Sequence, residues 1–281
     1  MRTIKEMTTM IGLGVAGNFA GHLEQAGEAD SFSHVVVKET GAPKAIFPFY
    51  VPGKVDGDFN FLSTFPLSSD TIVFPEEGDN LQIEPEVGII CKVVYDGGKV
   101  RNLQPVYFGA YNDCSIRNPN ARKISQKKNW GEKTKGISSK LFDIDEFEKN
   151  GIMDRYRIAS YLCRDGEFTE YGVDSPVSGY SFYHGKLLNW IIEKMNHQQD
   201  EDPMQPILPL LKTANYPEFA VISIGATRYT EFGETHFLKT GDRSFVVVYD
   251  GELHTQEQMS TRIKSEDLDA EGISPLVQDI I

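Results

Sequence analysis

Apolar residues in this chain fall in short runs and alternating stretches, a pattern that predicts β-strands more often than helices. Strands are predicted over residues 87–95, 100–111, 156–163, 167–171, 219–224 and 244–249. Asp96-Gly97-Gly98 is a predicted turn before residues 100–111. Asp165-Gly166 joins residues 156–163 to 167–171 in a predicted hairpin.

Helical spacing of apolar residues is rarer. It predicts one long helix over residues 178–196, a short helix over 18–25, and a short acidic helix over 143–149 that ends before Gly151. The strand–helix alternation of a parallel α/β fold is missing after residue 40. We therefore expect a β-rich α+β protein with few helices. Residues 1–253 would form a single domain, and residues 254–281 an acidic C-terminal tail that packs on the surface or lies loose.

The composition is that of an ordinary globular protein, with 281 residues, 40% hydrophobic and 25% charged. Asp and Glu total 41 against 28 Lys and Arg, which gives a formal net charge of -13. Such a charge repels phosphate backbones, so nucleic acid is not an expected partner. An acidic small molecule would need a local cation in its binding site.

The cysteine count and the hydropathy of the chain indicate where in the cell the protein is expected and whether it has a membrane partner. Three scattered cysteines are too few for a disulfide framework or a CxxC metal site, which favours a reduced, cytoplasmic protein. No apolar run approaches the roughly 18 residues that a membrane span needs, so no membrane partner is expected.

A glycine motif near the N-terminus supports a different class of protein. Residues 12–17, Gly-Leu-Gly-Val-Ala-Gly, match the G-x-G-x-x-G pattern of dinucleotide-binding proteins, and Glu39 follows the strand-like residues 34–38 where a ribose-binding acid would lie. However, a dinucleotide domain needs further parallel crossovers, and residues 43–140 supply prolines, turns and short strands instead. A glycine-rich turn between a strand and a short helix is therefore the preferred interpretation. A dinucleotide-binding oxidoreductase remains an alternative.

Two carboxylates begin the predicted strand 87–95. Glu84 and Glu86 are two residues apart, so on a strand both side chains point to one face. Held that close, they repel each other unless a cation lies between them, and oxygen ligands of this kind suit Mg²⁺. A solvated strand edge, which Pro85 would also suit, is the preferred interpretation of this pair taken alone.

A third carboxylate, Asp113, follows a later strand, with Arg117 four residues further on. Trp130 and the segment Lys135-Gly136-Ile137-Ser138-Ser139 come next. Taken together and in this order, the segments resemble the fumarylacetoacetate hydrolase family, whose motifs are N-Y-x-x-H, E-x-E, N-D-x-S-x-R-D, W and K-G-x-x-T/S. The matching segments here are Asn18-Phe19-Ala20-Gly21-His22, Glu84-Pro85-Glu86, residues 112–118, Trp130 and residues 135–139.

Weaker similarity continues at residues 164–167, 224–227 and 238–242, so the resemblance spans about residues 12–252. It implies a mixed β-sandwich or roll like the C-terminal domain of that family, with few helices, as a homodimer. It also implies an enzyme with a Mg²⁺ ion, or Mn²⁺ or Ca²⁺, that cleaves, decarboxylates or isomerises a small 2-oxo or 1,3-dicarbonyl acid.

The resemblance also assigns roles to individual residues. The implied metal ligands are Glu84, Glu86 and Asp113. The implied catalytic residues are His22, Gln25 and Lys135. The implied substrate-binding residues are Arg117, Asn120, Lys135, Ser139 and Thr227.

Several positions depart from the family pattern. The family backs its histidine with a glutamate three residues later, whereas this chain has Gln25; three residues along a helix would still let Gln25 reach His22. The substrate segment F-x-K-P corresponds to residues 49–52 and has no lysine, and the final Asp of the N-D-x-S-x-R-D loop is Asn118. A relative that binds a metal and a ligand without turnover is therefore a further alternative.

Overall fold

The computed structural model of the chain describes residues 3–28, 32, 39–76, 80–118 and 120–281. The strand predicted over residues 34–38 lies outside these ranges. Every other strand predicted from the sequence is confirmed, with ends shifted by a few residues at most on the long hairpins.

The larger sheet has eight strands and is mainly antiparallel. The strands are β1 Ile11–Ala16, β2 Ala45–Tyr50, β3 Leu67–Ser68, β6 Pro85–Asp96, β7 Lys99–Asn112, β9 Lys135–Ile137, β10 Phe142–Asp143 and β13 Phe219–Ser223. Their order in the sheet is β2-β1-β13-β6-β7-β9-β3, and β10 pairs with β7 outside that path. The β6–β7 hairpin is the longest pairing, and its turn uses Gly97 and Gly98 with positive φ.

The remaining strands form a second sheet of five strands and a separate two-stranded ladder. They are β4 Thr71–Ile72, β5 Leu81–Gln82, β8 Ser115–Ile116, β11 Tyr156–Arg164, β12 Glu167–Pro176, β14 Arg243–Asp250 and β15 Ile273–Ile280. The five-stranded sheet has the order β12-β11-β14-β15-β4, and β5 pairs with β8 in the ladder. β6 and β7 of the larger sheet pack against β11, β14 and β15. The core between the sheets includes Ile89, Phe108, Val246 and Leu276, all buried.

The helices are mostly short. The α-helices are α1 Ile4–Met7, α2 His22–Gln25, α3 His184–His197, α4 Leu208–Thr213, α5 Glu231–Thr235 and α6 Gln256–Lys264, and the 3-10 helices are Gly57–Ser63, Ile124–Lys127, Ile152–Arg155 and Val177–Gly179. α3 is the predicted long helix, and it packs Leu187, Ile191 and Met195 onto β2 and β7 at helical spacing. No helix within the described ranges has both the length and the apolar character that a membrane span requires.

The predicted acidic tail is wrong. Residues 254–281 form α6 and β15 instead, and β15 lies between β14 and β4 in the second sheet. Met259 and Ile263 of α6 are fully buried against the outer face of that sheet. The acidic residues of this segment are exposed, so its average polarity concealed two packed elements.

The predicted helix over residues 143–149 is also wrong. Asp143 ends the short strand β10, and the following residues form bends and turns. Asp145 explains the outcome, because its carboxylate accepts hydrogen bonds from the backbone nitrogens of Glu146 and Ile152. Aspartate side chains that bond to nearby backbone in this way compete with helix formation.

The glycine motif lies inside a strand rather than in a phosphate-binding turn. β1 runs through Gly12 and Gly14, and a Cβ atom at either position would come within 2.2 Å of the ring of Phe49 or Phe47. These glycines therefore make room for aromatic rings of β2. Since the sheet is mainly antiparallel and α2 has four residues, the structure excludes the Rossmann arrangement that the motif alone suggested.

Candidate active site

The sheet topology brings the predicted site residues to one edge of the larger sheet. β1 runs parallel to β13 and β6 runs antiparallel to it, so the end of β1 and the start of β6 meet at this edge. β7 ends there, and β9, antiparallel to β7, begins there. His22 after β1, Glu84 and Glu86 at the start of β6, Asp113 after β7 and Lys135 in β9 are therefore neighbours, although they are far apart in sequence.

Three carboxylates converge at this edge, and we call them the carboxylate triad: Glu84, Glu86 and Asp113. One oxygen of each lies within 4.8 Å of the others. Their exposed fractions are 4%, 1% and 0%. The predicted spacing of Glu84 and Glu86 on one face of a strand is thus confirmed, and both are buried rather than part of a solvated edge.

Two lysines pair with two of the three triad carboxylates, Glu84 and Asp113. The Lys128 Nζ lies 2.7 Å from Glu84 Oε2 and 2.6 Å from Asp113 Oδ2. Lys135 Nζ bonds to the other oxygen of Asp113 and lies 3.3 Å from the carbonyl oxygen of Cys114. Lys128 follows the 3-10 helix Ile124–Lys127, and both ammonium groups are buried.

Arg117 connects the triad to a fourth carboxylate, Glu28. Its Nη1 lies 2.7 Å from Glu84 Oε1 and 2.8 Å from Glu28 Oε1. Lys127 Nζ also bonds to Glu28, at 2.7 Å. Arg117 is held by two further hydrogen bonds, from Nε to Gln82 and from Nη2 to the Tyr229 hydroxyl.

The pKa values of two triad carboxyl groups, Glu86 and Glu84, shift in opposite directions. Burial raises the pKa of Glu86 well above its usual value, and the charges of Asp113 and Glu84 raise it further. Burial acts on the pKa of Glu84 in the same direction, but Lys128 and Arg117 outweigh it and hold that pKa well below the usual range. Glu86 is therefore the carboxyl group most prone to hold a proton. Its Oε2 accepts a hydrogen bond from the Gly225 backbone nitrogen at 2.8 Å.

His22 is buried beside the triad. Its Nδ1 is 2.9 Å from the carbonyl oxygen of Thr227, which can only accept, so Nδ1 carries the hydrogen and Nε2 is unprotonated. Burial lowers the pKa of His22 to about 4, and the nearby Glu84 only partly offsets this effect. The Tyr229 ring packs against the imidazole at 5.1 Å between centroids. His22 is thus a neutral imidazole of fixed tautomer at neutral pH.

Gln25 does not have the role expected from its spacing. Among the hydrogen bonds of the described residues, its side chain exchanges two with the Tyr229 backbone, at 3.0 and 3.1 Å, and a third joins its Nε2 to Glu234 at 3.3 Å. His22 and Gln25 both face the loop after β13, but Gln25 bonds to the Tyr229 backbone there and His22 bonds to Thr227. Thr227, rather than Gln25, orients His22.

Three of the predicted substrate-binding residues differ from expectation. Thr227 contributes its backbone carbonyl to His22, while its hydroxyl turns to the carbonyl oxygen of Pro85 at 3.3 Å. Ser139 and Asn120 are exposed, and neither bonds to the triad within the part of the chain that the structure describes.

Cys114, which follows Asp113, is buried. Burial raises the pKa of its thiol to about 12, which does not suit a nucleophile.

Two cavities adjoin the cluster. One of about 20 Å³ is lined by all three triad carboxylates, His22 and Lys128. A second, of about 150 Å³, is lined by Glu28, Arg117 and Lys127 among others. Glu28 lines both, so it lies at the boundary between the carboxylate-lined and the cation-lined space.

The donor set suits a divalent cation. Mg²⁺, Mn²⁺ and Ca²⁺ prefer carboxylate oxygens, and the three buried oxygens converge closely enough to share one ion. Both oxygens of Glu84 and both of Asp113 nevertheless contact cationic side chains. An ion could bind to the triad once the ammonium of Lys128 moves away from it.

Sequence reasoning missed three charged residues of the cluster, Glu28, Lys127 and Lys128. All three are charged residues at nearly full burial, which is rare unless they are paired. The run Lys127-Lys128 before Trp130 offered a signal, since it lies between two motif segments. Nothing in the spacing indicated which acid each lysine would meet.

Comparisons with known proteins agree with the fold described above. A crystal structure of Cg1458 with inhibitor has a TM-score of 0.54 and 16% sequence identity, over 96% of this chain and 76% of that chain. A putative HpcE protein from Mycobacterium smegmatis has a TM-score of 0.54 and 14% identity, over 98% and 76%. A 5-carboxymethyl-2-hydroxymuconate delta-isomerase from Mycobacterium smegmatis has a TM-score of 0.50 and 14% identity, over 96% and 78%.

These similarities confirm the predicted fold, that of the fumarylacetoacetate hydrolase family. No curated protein matches the chain significantly. The sequence profile of a family described as "Family of unknown function (DUF5718)" matches residues 28–280. That match includes residues 254–280, in agreement with their place in the second sheet.

Proposed function

The chain belongs to the DUF5718 family of unknown function and has the fumarylacetoacetate hydrolase fold, and we propose that it is an enzyme that binds Mg²⁺ or Mn²⁺ and acts on a small 2-oxo or 1,3-dicarbonyl acid. The observation that supports the proposal is the convergence of three buried carboxylates and a buried neutral histidine on one cavity. A fold needs no such cluster for stability, because buried charges cost free energy even when paired.

Glu84, Glu86 and Asp113 would hold the cation. A bound divalent ion supplies Lewis acidity toward the carbonyl and carboxylate oxygens of an oxo acid. Lys135 keeps one oxygen of Asp113 engaged and thereby fixes the orientation of that carboxylate.

His22 would move the proton. Its Nε2 is the accepting nitrogen, because Nδ1–H is committed to the Thr227 carbonyl. A pKa of about 4 makes the imidazole a weak base, and proton transfer is most efficient when the pKa lies near the working pH. We therefore expect reactions that need proton exchange next to a stabilised enolate, such as decarboxylation or isomerisation, to be faster here than hydrolysis by an activated water.

Arg117 and Lys127 would bind the carboxylate of the substrate. Both line the cavity of about 150 Å³, and both are paired with Glu28 in the structure. A substrate carboxylate entering this cavity would take the place of Glu28 between the two cations. This exchange supplies the local positive charge that an acidic ligand needs in a protein of net charge -13.

A relative that binds ligand without turnover is the second candidate. The observation that favours it is the pairing of the cluster with its own lysines and arginine, together with an uncharged Gln25 that does not support His22. Turnover separates the two candidates, whereas metal binding alone does not.

The test combines metal analysis with substrate assays. Protein purified with and without EDTA would be titrated with Mn²⁺ and Mg²⁺, then assayed on oxaloacetate and on acylpyruvates. We expect wild type to consume oxaloacetate at a rate that depends on the metal. His22→Ala should lower this rate. Glu24→Gln, which replaces an exposed acid and serves as the control, should leave it unchanged. Metal binding without turnover of any oxo acid would favour the binding relative, and absence of metal binding would refute the proposed site.

The oligomeric state and location stay predictions from the sequence. We expect a cytoplasmic homodimer, and light scattering on the purified protein measures the first of these directly.

A further inference from the structure

Lys128 occupies an unusual position in the cluster. Its ammonium lies between Glu84 and Asp113, 2.7 and 2.6 Å from one oxygen of each. Its side chain is 3% exposed, and it lines the same small cavity as the triad and His22. A cation that contacts two of three converging carboxylates holds the place where a metal ion would bind.

We propose that the Lys128 ammonium and a divalent cation compete for this one position, so that metal binds only when Lys128 leaves. The inference rests on the proposed function, since it concerns the same metal site. Under this proposal, the Lys128 ammonium occupies the metal position in the metal-free protein, and the free energy needed to displace it lowers the metal affinity.

The charge balance of the cluster supports the competition. The buried carboxyl groups are Glu28, Glu84, Glu86 and Asp113, and the buried cationic groups are Arg117, Lys127, Lys128 and Lys135. With every group charged, the two sets cancel. A divalent ion added to this cluster would leave two positive charges without partners in a place of low dielectric constant, which is costly. Departure of one ammonium halves that excess.

Lys128 is the cation best suited to leave. Arg117 is held by Gln82, Glu28 and the Tyr229 hydroxyl as well as by Glu84. In contrast, the polar contacts of the Lys128 side chain among the described residues are with Glu84 and Asp113 alone.

The remaining two lysines have anchors of their own. Lys127 is paired with Glu28, outside the triad. Lys135 also contacts the Cys114 carbonyl and is completely buried. Since a metal would take over both carboxylates that hold Lys128, it would remove every polar partner of that ammonium at once.

The space available agrees with this view. The cavity that the triad and Lys128 share has a volume of about 20 Å³, close to that of a single water-sized site. A metal ion with its remaining water ligands needs more room than that. Withdrawal of the four-carbon side chain of Lys128 would provide it.

The first test is a Mn²⁺ titration by calorimetry of wild type, Lys128→Met and Lys127→Met. Methionine keeps the unbranched, flexible shape of the lysine side chain but lacks its terminal ammonium group. Lys127→Met removes the same charge from the adjacent residue as a matched control. We expect Lys128→Met to bind Mn²⁺ about ten-fold tighter than wild type or more, since a unit charge a few ångströms away is removed. Lys127→Met should change the affinity much less. Equal gains in both variants, or no gain in Lys128→Met, would overturn the inference.

The second test needs no variant and applies even if Lys128→Met folds poorly. Wild-type lysines would be acetylated briefly with and without saturating Mn²⁺, and the labelled peptides would be quantified by mass spectrometry. We expect Mn²⁺ to raise labelling of Lys128 several-fold while Lys135 stays protected. Saturation by Mn²⁺ with Lys128 still protected would show that the two cations coexist, and that the inference is wrong.

The outcomes separate the two proposals. Tight Mn²⁺ binding by wild type with Lys128 protected would refute the competition and leave the proposed function intact. Competition without turnover of any oxo acid would support the inference and refute the enzymatic proposal. Absence of Mn²⁺ binding in every protein would refute both.

Discussion

Replacement of Glu86 by glutamine tests the electrostatics of the triad most directly. Burial and the charges of Asp113 and Glu84 raise the pKa of Glu86 well above its usual value of 4.5. In the unfolded chain Glu86 ionises near that usual value, whereas in the native protein without metal it ionises only at higher pH. The native state then binds one more proton than the unfolded state, so stability falls as pH rises through this window. Glutamine removes the dependence, because it is neutral at every pH.

The size of the effect follows from proton linkage. Between the unfolded and the folded pKa of Glu86, wild type should lose about 1.4 kcal/mol of unfolding free energy per pH unit relative to Glu86→Gln. For a chain of this size, each such step corresponds to a difference of about 2 °C in melting temperature. The variant should therefore be close to wild type at acid pH and increasingly more stable above it.

The assay is urea unfolding in EDTA at a series of pH values. Glu24→Gln, which replaces an exposed acid on α2, serves as the control and should track wild type throughout. Addition of saturating Mn²⁺ should reverse the order, since metal favours the ionised form of Glu86 and glutamine is a poorer ligand. If the difference in unfolding free energy between wild type and Glu86→Gln does not change with pH in EDTA, then Glu86 is ionised in the native protein. That result would refute this prediction.

Four further predictions concern other parts of the molecule. Gly14→Ala should destabilise the protein by about 1–3 kcal/mol in urea unfolding, because the added methyl group would lie 2.2 Å from the Phe47 ring; unchanged stability would mean that the ring has room to move. Gln25→Glu should cost about 1–2 kcal/mol, because it removes the amide donor to the Tyr229 carbonyl and places a second carboxylate next to Glu234; a gain in acylpyruvate hydrolysis would show instead that residue 25 supports the histidine. NAD, NADP and FAD should not bind in calorimetry, since Gly14 lies within a strand; saturable micromolar binding would contradict this assignment. Glu28→Gln should lower the KM for oxo acids several-fold, because a neutral amide competes less well for the two cations it faces; an increase in KM would mean that Glu28 positions the substrate.

The strand content and the pairing of Glu84 with Glu86 could be predicted from the sequence, because both depend on short-range periodicity. A carboxylate two residues from another shares its face on any strand. The order of the motif segments then indicated that Asp113 would join them. The confirmed topology shows why, since β6 and β7 form a hairpin whose open end brings residue 113 next to residues 84 and 86.

Partners far apart in sequence could not be predicted in the same way. Glu28 meets Arg117 across 89 residues, and Lys128 meets Glu84 across 44, and no local pattern determines such pairings. The polarity of residues 254–281 concealed a buried strand because exposed acidic residues elsewhere in the segment dominate the average. The spacing of His22 and Gln25 also misled, because both side chains face the loop after β13, where each bonds to a different backbone partner.

The position of β15 has a consequence for how this protein can be synthesised and truncated. β4 pairs with β15 through residues about 200 positions apart, and the Phe74 backbone nitrogen bonds to the Ile281 carbonyl at 2.7 Å. The second sheet cannot be completed until residues 273–280 have emerged from the ribosome. During translation, β4 and one edge of β14 therefore lack the strand with which they pair in the folded protein. Folding that depends on contacts this distant is slow and leaves strand edges open to aggregation. A chain cut after residue 253 would keep every residue of the triad. It would still lose β15, the strand that joins β4 to β14 in the second sheet.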